Sequence, residues 1–138
     1  MAPVAPLLEI VDPDAEVYAE ITSRFGHHNR QFADWAATTF SVVHRTGAHI
    51  AAAARGVTNM GLVEIRGVWV DADLRGTGMG RAVMVELETE ARRRGCTRAA
   101  LDTYSWQAEG FYRRLGYRDY ARLEYPNGTH RLYFVKDL

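Results

Sequence analysis

The chain has 138 residues, the size of one domain, and its 47% hydrophobic and 25% charged residues give enough apolar material for a core within an ordinary soluble balance. Lys+Arg and Asp+Glu number 17 each, so the formal net charge is zero, and the basic footprint of a nucleic-acid or membrane-surface binder is missing. A single cysteine, Cys96, excludes an internal disulfide and suits a reducing cytosol; following Gly95 at a helix-to-strand junction, it reads as a small buried apolar residue.

In chain order, the start Met1-Ala2-Pro3-Val4-Ala5-Pro6 lacks the basic flank and apolar core of a signal peptide. No apolar run approaches the ~20 residues that cross a bilayer, so a cytoplasmic location is expected. Leu7 to Val11 reads as a first strand. Asp12-Pro13-Asp14 then opens a helix, an acidic residue capping and the proline just inside. Val17, Ile21 and Phe25 form its apolar stripe, and Gly26-His27-His28-Asn29 interrupts it. Phe32, Trp35 and Ala36 read as a second short helical piece. Phe40 to His44 and His49 to Ala54 pair as a hairpin around Thr46-Gly47, Gly56 to Gly61 makes a turn, and Leu62 to Val70 is the next strand, with Gly67 marking a bulge. A helix from Gly80 to Arg94 presents Val83, Met84, Leu87 and Ala91 on one face. It ends in the solvated triplet Arg92-Arg93-Arg94 and is stopped by Gly95. Ala99 to Asp102 is a strand, Gln107 to Leu115 a helix ended by Gly116, and Tyr117 to Glu124 with His130 to Lys136 a closing hairpin.

The most informative stretch is Leu74-Arg75-Gly76-Thr77-Gly78-Met79-Gly80-Arg81, between the strand ending Val68-Trp69-Val70 and the following helix. Glycine lets backbone approach a ligand closely. The helix start directs its unpaired N–H groups and the positive end of its dipole into the same space, which suits a phosphate. A plain strand-to-helix turn favours glycine too. The P-loop triplet Gly-Lys-Ser/Thr is absent, and the position where a dinucleotide loop needs its third glycine holds Arg81 or Val83.

The string does carry Arg/Gln-x-x-Gly-x-Gly/Ala as Arg75, Gly78 and Gly80. This resembles the acyl-CoA pyrophosphate loop of the GNAT N-acetyltransferase superfamily. Downstream, Ser105-Trp106-Gln107-Ala108-Glu109-Gly110-Phe111-Tyr112-Arg113-Arg114-Leu115-Gly116-Tyr117 is similar to the GNAT signature Asn-x-x-Ala-x-x-x-Tyr-x-x-x-Gly-Phe. Ser105 and Tyr117 replace its Asn and Phe. From Gly61 to Leu138 the chain also resembles a group of small bacterial GNAT proteins, with Leu101 to Ala108 and the closing Lys136-Asp137-Leu138 as the matching segments. Residues 1–60 fit that group only in length and element order.

The resemblance implies an α/β fold as one domain over residues 1–138. It would be a mixed, mostly antiparallel sheet of six to seven strands, with helices on both faces and a central splayed parallel strand pair. It implies acetyl-CoA as co-substrate and a small-molecule amine as acceptor, with direct acetyl transfer. The backbone of Gly76, Thr77, Gly78, Met79, Gly80 and Arg81 would hold the pyrophosphate. Arg75 and Arg81 would add charge, Arg75 by bracing the loop. Val68, Trp69 and Val70 would offer strand backbone to the pantetheine, with Ser105 and Gln107 beside it. Tyr112 would be the acid toward the departing thiolate; taken alone it reads as a helix tyrosine packed on the sheet, and the surrounding signature reverses that reading.

Glu64 lies where many members keep a carboxylate base, and reads otherwise as a surface strand residue. His27, His28, His44, His49 and His130 match no metal spacing, so no metal is expected. Nor is a nucleic-acid or membrane partner, and the protein is expected as a monomer or homodimer. The competing readings are acetylation of a protein or peptide amine, use of another acyl-CoA, and a non-catalytic acyl-CoA-binding or sensing module.

Overall fold

The computed structural model describes Ala2 and residues 6–138. Met1 and residues 3–5 of the N-terminal stretch lie outside the described residues. The chain forms two compact units, one up to Trp35 and one from Ala36 to Leu138.

In the first unit, Leu7 to Val11 is not a strand but runs without regular structure. Its sequence, Leu-Leu-Glu-Ile-Val, does not alternate, and an apolar run without a ladder has nothing to hold it extended. Helix α1 spans Ala15–Asn29. Its cap is Asp14, whose Oδ1 accepts from the N–H groups of Glu16 at 2.8 Å and Val17 at 3.2 Å, so Pro13 precedes the helix instead of opening it. The helix also runs through Gly26-His27-His28-Asn29. Glycine there costs about 1 kcal/mol against alanine, but Arg30 fills the space, its Nη1 3.1 Å from where a Cβ would sit. Phe32 lies in a turn and Trp35 and Ala36 in irregular chain, so the expected second helical piece does not form.

The second unit holds six strands: β1 Thr38–Thr46, β2 His49–Asn59, β3 Leu62–Val70, β4 Arg98–Tyr104, β5 Arg118–Glu124 and β6 His130–Asp137. Helix α2, Met79–Arg93, links β3 to β4, and helix α3, Glu109–Arg114, follows β4. The order across the sheet is β1-β2-β3-β4-β6-β5, with β3 and β4 parallel and every other neighbouring pair antiparallel. The expected turn from Gly56 is instead strand up to Asn59. Gly56 is there because a Cβ would stand 3.0 Å from both Phe40 and Val63; its missing side chain lets two core residues close over the strand. Helix α3 begins at Glu109 and not at Gln107, because Gln107 is used in the preceding turn, as described below.

One face of the sheet carries the core. Ala52, Ala54, Val63, Ile65, Ala99, Leu101, Leu132 and Phe134 meet Val83, Met84, Leu87 and Ala91 of α2, together with Leu115 and Tyr117 after α3. The α2 positions recur at helical spacing, and burying a side chain such as Leu87 contributes about 2 kcal/mol. Glu88 shares that buried face, and the ammonium of Lys136 bonds to its carboxylate at 2.5 and 3.1 Å. At the end of α2, Gly95 takes φ 88°, and the Cys96 N–H returns to the Ala91 carbonyl at 2.9 Å. Arg93 and Arg94 both pair with Glu90, and Arg94 also lies over the Phe40 ring at 4.3 Å. Cys96 is buried, and desolvation pushes its thiol above the ordinary range.

Candidate active site

The parallel ladder is short. It runs from Leu62 opposite Arg98 to Ile65 opposite Leu101 and then stops. On β3 the register against β2 shifts between Ala54 and Gly56, which places Arg66 and Gly67 opposite the single residue Arg55. This bulge, at the glycine expected to mark one, changes the strand's phase. Val63 and Ile65 face the core before it, and Val68 and Val70 pack against the core after it. Trp69 consequently points to the outer face, where its Nε1 donates to Asp71 at 2.8 Å and His49 holds the other oxygen of Asp71 at 2.6 Å.

Beyond Ile65 and Leu101 the strands separate around a cleft of about 1170 Å³. The Asp71 N–H donates back to Ala51 on β2 at 2.8 Å. Peptide groups alternate sides along an antiparallel ladder, so those of Val68 and Val70 turn toward the cleft. The Val70 carbonyl is taken by Arg75, whose Nε donates to it at 3.1 Å. On the opposite wall the Ser105 N–H pairs with His130 of β6, and the Tyr104 N–H turns inward to the Gln107 side-chain oxygen at 3.1 Å. The same oxygen accepts from the Thr103 hydroxyl at 3.1 Å, so Gln107 closes the turn after β4.

The glycine-rich loop closes one end of the cleft. Gly76 and Gly78 take φ 75° and 89°, and nothing lies within 4 Å of where a Cβ would project from either. Gly78 caps α2 without a side chain, and the first intrahelical bond runs from Ala82 to the Gly78 carbonyl. The N–H groups of Met79, Gly80 and Arg81 are therefore the unpaired donors of a helix start. Gly80 is a close approach: a Cβ there would be 3.3 Å from Phe111 and 3.6 Å from Val70.

Of the residues singled out from sequence, Glu64, Val68, Trp69, Val70, Arg75, Gly76, Gly78, Gly80, Arg81, Gln107 and Tyr112 line this cleft. Thr77, Met79 and Ser105 do not. The Thr77 hydroxyl bonds back to Leu74, Met79 packs on the core, and the Ser105 Oγ accepts the His130 N–H. Tyr112 is packed among Phe111, Tyr117 and Phe134, with ring centroids 5.1 to 6.2 Å away. Burial, then the negative charge of Asp102, hold its phenol above the ordinary value of 10. Glu64 pairs with Arg66 at 3.0 Å, and its side chain is 48% exposed.

Sequence reasoning missed Asp102, Tyr104, Trp106, Arg114 and Arg131, all of which line the cleft. The strand alternation around Asp102 was the available signal. Arg131 donates to Asp102 at 2.8 Å, and its guanidinium lies 5.4 Å from the Tyr104 ring and 5.2 Å from that of Tyr133. Tyr104 in turn stacks on Trp106 at 4.8 Å. Among the described residues no cluster of three His, Cys, Asp or Glu side chains could hold a metal, and no helix is long and apolar enough to cross a membrane.

The model of the acetyltransferase (GNAT) family matches residues 6–117. The chain belongs to the GNAT acetyltransferase family. It is 41% identical over 73 residues to blasticidin-S acetyltransferase of Streptomyces morookaense, a match covering 51% of this chain and 54% of that protein. The chain thus matches about half the length of that curated relative. Among solved structures, an acetyltransferase from Bacillus cereus ATCC 14579 superposes with a TM-score of 0.82 at 26% identity, over 95% of this chain and 98% of that one. A protein from Agrobacterium tumefaciens shares the fold with a TM-score of 0.88 at 23% identity, over 97% and 100% of the two chains. The GNAT fold therefore has here its mixed sheet of six strands with one parallel pair.

Proposed function

We propose that this GNAT protein transfers an acetyl group from acetyl-CoA directly to the amine of a small molecule. The observation that carries the reading is the joint placement on one cleft of the open parallel pair and of Gly80 and Arg81, whose N–H groups are unpaired at the start of α2. The pyrophosphate would lie on the N–H groups from Met79 to Arg81, with Arg75, Arg81 and Arg114 around it. The pantetheine would run between β3 and β4, borrowing the peptide groups of Val68 and Val70 as an added strand does. Tyr112 would give its proton to the sulfur as the carbon–sulfur bond breaks. The raised phenol keeps that proton at neutral pH, so its contribution is a hydrogen bond that strengthens as charge develops on sulfur. Glu64 is the base the family resemblance suggests for the amine.

The small-molecule acceptor is supported by the blasticidin-S acetyltransferase match. The test is release of free CoA with blasticidin S, tyramine and spermidine as acceptors, beside calorimetric titration of acetyl-CoA. Release with any of the three supports the reading. Acetyl-CoA binding without release from these or from a peptide amine points to an acyl-CoA-binding module, and no binding overturns the assignment of the cleft.

A further inference from the structure

Two carboxylates line the cleft, and the structure separates them by position. Glu64 lies opposite Ala100, inside the paired part of the parallel ladder, and its carboxylate is engaged by Arg66. Asp102 follows Leu101, the last residue of β4 paired with β3, so it is the first residue of that strand on the open part of the cleft. Leu101 and Thr103 on either side of it are buried, and strand alternation turns Asp102 the other way.

We propose that Asp102, and not Glu64, is the carboxylate that receives the acceptor's amino group. The proposal rests on the acetyltransferase reading above and deepens it. Asp102 is held in place before any ligand arrives. Arg131 engages its Oδ2, and Tyr104 and Tyr133 flank the arginine, which fixes the pair by packing as well as charge. Oδ1 is left for the acceptor. Tyr112, the group assigned above to the sulfur, lines the same cleft as Asp102.

The chemistry needs an anion there. The acceptor loses one proton to solvent and its nitrogen lone pair attacks the thioester carbonyl carbon. As the carbon–nitrogen bond forms, the nitrogen becomes positive, and a fixed carboxylate stabilises that charge where it develops. The second proton then leaves the nitrogen by way of Asp102 to water. The carbon–sulfur bond breaks, the sulfur takes a proton, and the products are the acetamide and free CoA. The contribution of Asp102 is to bind and orient the nitrogen and to stabilise its charge.

The test compares Asp102→Asn, Asp102→Glu and Glu64→Gln by steady-state kinetics with blasticidin S, tyramine and spermidine, with acetyl-CoA affinity measured calorimetrically on each folded variant. The asparagine keeps an oxygen for Arg131 and removes only the charge. Its acceptor kcat/KM should fall about 10- to 100-fold, the size of a charge-assisted hydrogen bond, while acetyl-CoA affinity stays within twofold. Asp102→Glu should recover part of the loss, and Glu64→Gln should lose less than Asp102→Asn. The assignment is overturned if Asp102→Asn keeps the wild-type acceptor kcat/KM, if its acetyl-CoA affinity falls in parallel, or if Glu64→Gln loses more. A wild-type chain that binds acetyl-CoA but acetylates none of the three amines also overturns it. One that does not bind acetyl-CoA fails earlier and overturns the transferase reading itself.

Discussion

Arg75 reaches back across the glycine-rich loop and donates through Nε to the carbonyl of Val70, the last residue of β3, at 3.1 Å. The arginine also lies over the Trp69 ring at 5.5 Å. One side chain thus ties the strand that lines the cleft to the loop that closes its end. Arg75→Ala should weaken acetyl-CoA binding about tenfold, through a looser loop and a lost charge. Folding stability should change by less than ~1 kcal/mol, as expected for an exposed contact. Calorimetry beside thermal unfolding separates the two effects, and an unchanged affinity removes Arg75 from the phosphate end.

Gly78→Val is a sharper probe of the same loop. The residue sits at φ 89° with nothing within 4 Å of the added Cβ, so the protein suffers backbone strain and no collision. That strain should cost ~1–3 kcal/mol of stability, and the isopropyl group would stand where a ligand's phosphate needs the backbone. Acetyl-CoA affinity measured on the folded variant should drop at least about tenfold. Binding at wild-type strength would sink the assignment of this loop to phosphate.

Tyr112→Phe removes one hydroxyl and keeps the ring against Phe111, Tyr117 and Phe134. Turnover should fall roughly ten- to a thousand-fold, with little change in acetyl-CoA affinity. The phenol is held above 10 by burial and by Asp102, so in the wild type the alkaline limb due to Tyr112 should lie above pH 10. The pH profile of kcat is the readout. Near-wild-type turnover in the variant would return Tyr112 to packing, with water protonating the thiolate.

Acid stability should carry the signature of the α2 terminus. Hydrogen bonds from Arg93, then Arg94, hold Glu90 at about 2 instead of 4.5. A carboxyl whose folded value is depressed adds stability above its unfolded value and loses it as the pH falls through the folded one. The window is therefore pH 4.5 down to about 2. Urea unfolding followed across it should show a shallower acid-side decline in Glu90→Gln than in the wild type. An identical slope would mean that these arginines are not ordered in solution.

Core substitutions calibrate the fold independently of function. Leu87 and Phe134 are fully buried at the centre of the cluster between α2 and the sheet. Leu87→Ala should cost about 2–5 kcal/mol and Phe134→Ala about 3–5 kcal/mol in chemical denaturation. Losses below ~1 kcal/mol would show that the cluster repacks.

The reading from sequence succeeded where local pattern and tertiary role coincide. The bounds of β3 and the bulge at Gly67 follow from alternation and one misplaced glycine, and α2 follows from its helical stripe and Gly95 stop. It failed where glycine served packing. Gly56 looks like a turn residue, but it lies in mid-strand because Phe40 and Val63 meet over it, a contact between segments distant in sequence. Gly26 looks like a helix break and is covered by Arg30. The loop and Tyr112 were legible because their residues are contiguous. Asp102 and Arg131 were not, since their partnership exists only once β4 and β6 lie side by side. Gln107, singled out for the cofactor, lines the cleft, and its oxygen also accepts from Thr103 and Tyr104; no spacing rule reveals that second role in closing the turn.

The bulge makes the length of β3 as decisive as its composition. Were the nine-residue strand to pair with β2 as a regular ladder, Gly67 kept and the bulge lost, no residue would change, yet everything after Gly67 would exchange sides. Val68 and Val70 would turn outward, Trp69 would turn inward onto α2, and the peptide groups now directed at the cleft would point at β2. The wall of the cleft is in this sense set by counting. Conservative replacements within Val68–Val70 should be absorbed, whereas one residue inserted between Gly67 and Val68 should destroy the site without altering one of its side chains.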